Sequence, residues 1–333
     1  MTTIEYASPE IKRDAGTSMP RLSVSVIICA YTPDRWDQLL GAIRSIQAQS
    51  EPPLEIIVVV DHQVELHGLL EATVGSTVKV LENENRHGLS GARNTGVMAA
   101  RGEIVAFLDD DAEAASDWLE LLTAGYRDPT VFGSGGTVLP LWSRPASGFP
   151  AEFNWVFGCS YKGMPTARTY VRNMIGANMS FRRQAIIGVG GFRDGIGRVG
   201  ARPVGCEETE LCIRIHQAHP LGRVLHQPQA MVRHHVPASR LEWRYFMARC
   251  YSEGLSKALL CQLGGAQKGL SSERAYVTRT LPRGFIRGLS DGLLHADREG
   301  FLRSARIASG LLLTMAGFIM GWMKLRLGKV IDA

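Results

Sequence analysis

The chain has 333 residues, 45% hydrophobic and 21% charged, which excludes an intrinsically disordered protein and allows one large domain or two small ones. Its net charge of +5 is unevenly spread: residues 238–333 hold 15 Lys and Arg against 7 Asp and Glu, so the basic excess belongs to the C-terminal third. Such an excess fits membrane lipid, nucleic acid or a phosphorylated acceptor as partner, or a solvated helical surface.

Met1 to Pro20 is polar and lacks the apolar core of a signal peptide, so residues 1–21 read as a disordered leader. Val24 to Ala30 is a β-branched apolar run, the mark of a strand buried on both faces. A proline-containing turn follows, with Asp34 placed to cap a helix that carries Leu39, Leu40, Ile43 and Ile46 at helical spacing. Leu54 to Val60 is a second buried strand, with Asp61 at its C-terminal end. Leu66 to Val74 reads as helix and Val78 to Leu81 as strand. Ser90 to Ala100 reads as a helix entered through a glycine turn, and Ile104 to Leu108 as a fourth strand ending in Asp109-Asp110-Asp111.

This β-α-β-α-β-α-β alternation implies an α/β fold with a mainly parallel sheet and helices on both faces. Ligands of such sheets lie outside the C-terminal ends of the strands, where Asp61 and the three aspartates fall. From Gly133 to Val236 the pattern is less regular, and Arg193 to Gly205 reads as a mobile glycine-rich loop able to close over a substrate.

Three adjacent carboxylates repel one another unless a cation neutralises them, and a divalent ion with oxygen ligands does so. On an extended chain Asp109 and Asp111 point the same way, toward one cleft. The competing reading is a helix N-terminal acid cluster before Trp118-Leu119. Glu207 and Glu208 begin another helical stretch; a carboxylate there is either a dipole partner or a general base. Of His234 and His235, which face opposite ways on a strand, one can enter a site as a metal or diphosphate contact. Arg93 and Asn94 stand at a helix start, where phosphates bind. Neither GxGxxG after the first strand nor GxxxxGK[ST] is present, which disfavours dinucleotide and P-loop readings.

The ordered series SVIICAYTPDR, LEIIVVVDH, NRHGLSGARNTGVMAARGEIVAFLDDDA, GANMSFRR, GCEETELCIR and PQAMVRHHV resembles family 2 of the glycosyltransferases, with the GT-A fold, over about residues 22–236. The resemblance implies an inverting, single-addition transfer from a nucleotide-sugar donor, usually a UDP-sugar, with Mg2+ or Mn2+ as cofactor. It implies that Tyr31 and Asp61 hold the base, with Arg35 and Arg93 beside that pocket. Asp109 and Asp110 would lie near the ribose, Asp111 on the metal, and Asn178 near the donor sugar. His234 matches the family's histidine at the metal and diphosphate. Glu208 aligns with the usual base, an aspartate in most members, and Glu207 is the runner-up. On a lipid phosphate acceptor, already an anion, Glu208 would position rather than deprotonate. The QxxRW motif of processive synthases is absent.

The resulting division is a leader at 1–21, a GT-A domain at 22–237 and a basic, apolar helical region at 238–333. Within the last, Ile307 to Met323 is uncharged and flanked by Arg303, Arg306, Lys324 and Arg326. At seventeen residues it fits a helix buried or lying on a membrane surface better than a full span. This tail resembles that of bacterial members acting on membrane-bound acceptors. It points to a lipid-linked or polysaccharide acceptor in cell-envelope synthesis at the cytoplasmic face of the plasma membrane, without nucleic acid. The six cysteines form no CxxC pair and read as reduced cytosolic thiols. A nucleotidyltransferase is the first alternative, disfavoured because CAYTPDR lacks glycine; a non-catalytic scaffold is the second.

Overall fold

The computed structural model describes residues 22–197, 205–264 and 273–327; the leader and the centre of the glycine-rich loop, residues 198–204, lie outside them. The chain begins β1 (Val24–Ala30), α1 (Trp36–Gln47), β2 (Glu55–Val60), α2 (Val64–Val74), β3 (Val78–Glu82), α3 (Leu89–Ala99) and β4 (Ile104–Asp109). Each of these elements lies within two residues of its place in the sequence reading. β1 pairs in parallel with β2 and β4, and β2 with β3. Alternate residues of β1 feed opposite layers: Val26 and Ile28 pack with α1 and α2, Ile27 with α3. A strand apolar on both faces, with Ser25 its one hydroxyl, is therefore buried on both faces.

The second half is mixed. β5 (Ala112–Ala114), α4 (Trp118–Thr123), β6 (Val131–Trp142), β7 (Thr169–Val171), β8 (Asn178–Arg182), α5 (Arg183–Gly188), α6 (Glu207–Ala218) and β9 (Arg223–Val236) follow. The sheet runs β3-β2-β1-β4-β8-β6-β9-β5, with β7 joined to β9. β8 is antiparallel to both β4 and β6, whereas β6 and β9 are parallel to each other. Parallel pairing is thus continuous only through the first four strands. The irregular sequence between Gly133 and Val236 holds two long strands, of 12 and 14 residues, whose Gly and Pro content masks their alternation.

Three helices complete the described chain: α7 (Trp243–Gly264), α8 (Leu281–His295) and α9 (Arg298–Arg326). α7 and α9 cross closely because Gly254 and Gly317 meet the partner helix's backbone; a Cβ on either would overlap a carbonyl, of Thr314 or Tyr251. α9 is 29 residues long and apolar enough to cross a membrane, and 22% of its most apolar window is buried. Its Ile307 enters the main core, while Leu312, Met315, Ile319, Met320 and Trp322 are exposed. The expected apolar segment is therefore partly core and partly open surface. All six cysteines are free thiols.

Candidate active site

The C-terminal ends of β1, β2 and β4 open into a cavity of about 1010 Å3 that also reaches α6, α7 and α9. Parallel register sets Cys29 beside Val59 and Asp109, so Tyr31, Asp61 and the aspartates emerge at one edge.

β4 ends at Asp109, and two residues later β5 pairs with β9 in a register that puts Ala112 opposite His234. His234 is thereby brought against the preceding aspartate: its Nε2 lies 3.0 Å from Asp111 Oδ1. His235 faces the other way, half-exposed, 3.7 Å from Glu113. Burial would lower the His234 pKa, but the Asp111 carboxylate outweighs it and raises it to about 10. Asp111 is held far below the usual carboxylate range: burial opposes ionisation, and His234, Arg35 and Arg240 override it. Arg35 spans Asp110 (2.7 Å) and Asp111 (3.0 Å), and its guanidinium lies 5.1 Å from the Tyr31 ring centroid. Burial and the charge of Asp111, countered by Arg35, push Asp110 up to about 7.

The residues present fit a divalent cation. Ligand atoms of Asp109, Asp111 and His234 lie within 4.8 Å of one another; the two carboxylates suit Mg2+ or Mn2+, and the added imidazole favours Mn2+ of the two. Beside them, Asp110 Oδ2 is buried without a hydrogen-bond partner among the described residues.

Asp61 lines the cavity but is engaged internally. It accepts hydrogen bonds from Gly88 N (2.9 Å), Asn83 Nδ2 (2.6 Å) and His62 Nδ1 (3.0 Å), which ties the turn between β3 and α3 to β2. Arg93 of α3 is buried, its guanidinium against the Phe107 and Phe192 rings, which meet edge to face. Its guanidinium donates to Glu207 (2.7 Å) and lies 3.7 Å from Asp109. It also donates to the Gly176 carbonyl (3.3 Å) and lines the same cavity as Tyr31, Arg35 and Asp61. A correction concerns Asn178. Its side chain is fully buried, accepts from Trp118 Nε1 (2.8 Å) and donates to the carbonyls of Ala230 (2.8 Å) and Thr137 (3.0 Å). Both amide hydrogens are taken and the residue is not in the cavity lining, so Asn178 locks β8 to β6 and β9 rather than facing a donor sugar.

The two glutamates divide. Glu207, buried at the first position of α6, is committed to Arg93. Glu208 is half-buried on the cavity, and burial together with the Glu207 carboxylate pushes it from 4.5 up to about 7. Cys206 before them has φ 75°, a left-handed conformation uncommon for a residue with a side chain. Sequence reasoning missed Arg240, buried 3.7 Å from Asp111, and the cavity's far wall from Arg172, Lys257 and Glu273. They come from separate segments with no shared spacing, so only folding brings them together.

A mixed α/β sheet with an acid–histidine cluster at its strand ends, joined through Arg93 to an acid pair, is the arrangement that the resemblance to GT-A glycosyltransferases implies. The sequence model of glycosyl transferase family 2 matches residues 25–190. Glucosyl-dolichyl phosphate glucuronosyltransferase of Haloferax volcanii is 35% identical over 243 residues, which cover 72% of this chain and 77% of that protein. The chain belongs to glycosyl transferase family 2. Pre-mycofactocin glycosyltransferase of Mycobacterium tuberculosis is 28% identical over half of this chain and 34% of its own length. Among solved structures, the mannosyltransferase PcManGT of Pyrobaculum calidifontis, in complex with GDP-Man and Mn2+, superposes with a TM-score of 0.56. It is 18% identical over 90% of this chain and 87% of that one. GalNAc-T7 with UDP, GalNAc and Mn2+ superposes at 0.51, 20% identical over 66% and 44%. At these identities both likenesses show the fold alone.

Proposed function

We propose that the protein is an inverting, metal-dependent transferase that moves a sugar from a nucleotide-sugar, a UDP-sugar as the first expectation, to a hydroxyl of a lipid-linked sugar. The observation that carries this reading is the pairing across Arg93: one guanidinium holds Asp109 of the cation cluster and Glu207 of the acid pair in the same cavity. The H. volcanii relative, whose name specifies a glucosylated dolichyl phosphate, supports the acceptor class.

In this reading Asp109, Asp111 and His234 hold the cation, and Tyr31, Arg35 and Asp61 line the nucleotide end. A bound cation offsets the charge that develops on the leaving diphosphate. Arg93 fixes Glu207, whose charge in turn keeps Glu208 basic enough to accept a proton near neutrality. The acceptor oxygen forms its bond to the anomeric carbon as the bond to the diphosphate breaks, and the acceptor proton passes to Glu208. Attack from the face opposite the diphosphate inverts the centre.

Membrane association belongs to the same proposal. The exposed apolar residues of α9 end in Trp322 and Met323, with Arg326 stacked 3.8 Å from the Trp322 ring centroid, an arrangement suited to an interface with anionic headgroups. The tail resembles that of bacterial members, whereas the relative at 35% identity is archaeal. The cytoplasmic face of the membrane is the expected location.

The test is a panel of nucleotide-sugars with Mn2+ or with chelator, and flotation with anionic vesicles. Mn2+-dependent binding of one donor, transfer of its sugar to a lipid-linked sugar with release of the nucleoside diphosphate, and co-flotation are expected. Pyrophosphate as product would favour the nucleotidyltransferase alternative; absence of donor binding with metal present would favour a scaffold.

A further inference from the structure

The cavity continues beyond the acid pair. Past Glu207 and Glu208 its wall is an ion cluster from three segments far apart in sequence. Arg172, after β7, donates Nη1 to Glu273 Oε2 and Nη2 to Glu273 Oε1, each at 3.0 Å. Lys257 of α7 donates to Glu273 Oε1 at 2.5 Å and lies 3.4 Å from Glu253. The four side chains are 13–23% exposed, so the cluster is largely withdrawn from water. Next along the wall stand Leu311, Met315, Phe318 and Ile319 of α9, with Val277 and Leu281. Met315 and Ile319 are 52% and 54% exposed.

Two observations point to a ligand. A guanidinium fork and an ammonium converging on one carboxylate is the geometry that also binds phosphate. Directly beside it, apolar side chains line the same cavity without cover, an arrangement that favours a hydrocarbon. Base, cations and apolar surface line one cavity, the set of groups that a sugar linked through phosphate to a single hydrocarbon chain engages.

We propose that this wall is the acceptor subsite: the phosphate of the lipid-linked sugar docks on Arg172 and Lys257 in place of the Glu273 carboxylate, and the hydrocarbon chain lies along α9. The inference rests on the lipid-linked reading above and deepens it. Glu273 is then an internal anion that satisfies the two cations in the free enzyme and competes with the acceptor for them.

The full-length protein in detergent is titrated with farnesyl phosphate, farnesol and inorganic phosphate, with Mn2+-UDP binding as the fold control for every variant. Farnesyl phosphate is expected to bind about tenfold or more tighter than either fragment, since it alone engages both parts. Arg172→Ala weakens farnesyl phosphate by about tenfold. Glu273→Gln tightens it several-fold, because the competing charge is gone while the shape remains. Ile319→Asp weakens farnesyl phosphate and leaves inorganic phosphate unchanged. Were the cluster merely structural, Glu273→Gln would weaken binding as Arg172→Ala does, and that result overturns the inference, as does equal binding of farnesol and farnesyl phosphate. Acceptor kinetics separate the two levels. Transfer to a lipid-linked sugar with a KM untouched by Arg172→Ala and Ile319→Asp refutes this subsite alone. Transfer only to a soluble glycan refutes the lipid-linked reading itself.

Discussion

Replacing Glu208 with glutamine removes a base while keeping size and shape. A positioned general base contributes roughly 10²–10⁴ in rate, so kcat of Glu208→Gln is expected to fall by about that factor, with donor binding retained. The wild-type pH profile carries the second half of the argument. With Glu208 at about 7, activity is lost as the pH falls through that value, because the carboxyl is then protonated; the variant's residual rate lacks this limb. Stability moves the opposite way. The unfolded side chain titrates near 4.5 and the folded one near 7, so below 4.5 both states are protonated and burial of Glu208 carries no ionic penalty. Between the two values the folded state holds an extra proton, and above 7 it bears a buried charge. At ~1.4 kcal/mol per pH unit that penalty is about 3 kcal/mol. Because the side chain is only half-buried, screening by solvent brings it to about 2 kcal/mol. Glu208→Gln is therefore more stable than the parent at pH 8 and equal to it near pH 4. The assays are single-turnover transfer across pH and denaturant melts at pH 4 and 8. A variant with kcat within threefold of the parent and an unchanged acid limb would refute the assignment of the base.

Glu207→Gln strips the buried partner from Arg93, with an expected stability loss of about 3 kcal/mol by denaturant melting; in addition, removal of the neighbouring charge moves the acid limb of activity to lower pH, and a limb that stays at 7 contradicts the electrostatic coupling. Asp111→Asn is expected to abolish Mn2+-dependent nucleotide binding measured by calorimetry; full Mn2+ dependence in the variant would remove Asp111 from the cation site. Gly136→Ala forces a Cβ into the Ala230 carbonyl on β9, so it should cost about 2 kcal/mol or more, seen as a lowered Tm; an unchanged Tm would show that the β6–β9 contact yields readily.

Local rules were enough for the first half of the fold. β1, β2 and β4 are apolar on both faces, apart from Ser25, Glu55 and Asp109, because both faces are covered, and that pattern is visible in a string of letters. The same alternation set Asp61 and Asp109 to Asp111 at strand ends, and the opposite facing of adjacent strand residues separated His234 from His235. The sequence by itself therefore determined the α/β alternation, the acid cluster and the candidate acid pair.

Tertiary structure decided what those groups do. Asn178 reads as a ligand residue in its motif, yet it is fully buried and bonded to Trp118, Thr137 and Ala230, which come from other strands and a helix. Glu207 and Glu208 are chemically identical neighbours in sequence; only the arrival of Arg93 from α3 commits one and leaves the other with a raised pKa. Arg172, Lys257 and Glu273 share no spacing, and their meeting depends on how α7 and the chain before α8 close over the sheet. Periodicity reports which face of an element is covered, whereas charge pairing between distant segments depends on three-dimensional closure that no local pattern encodes.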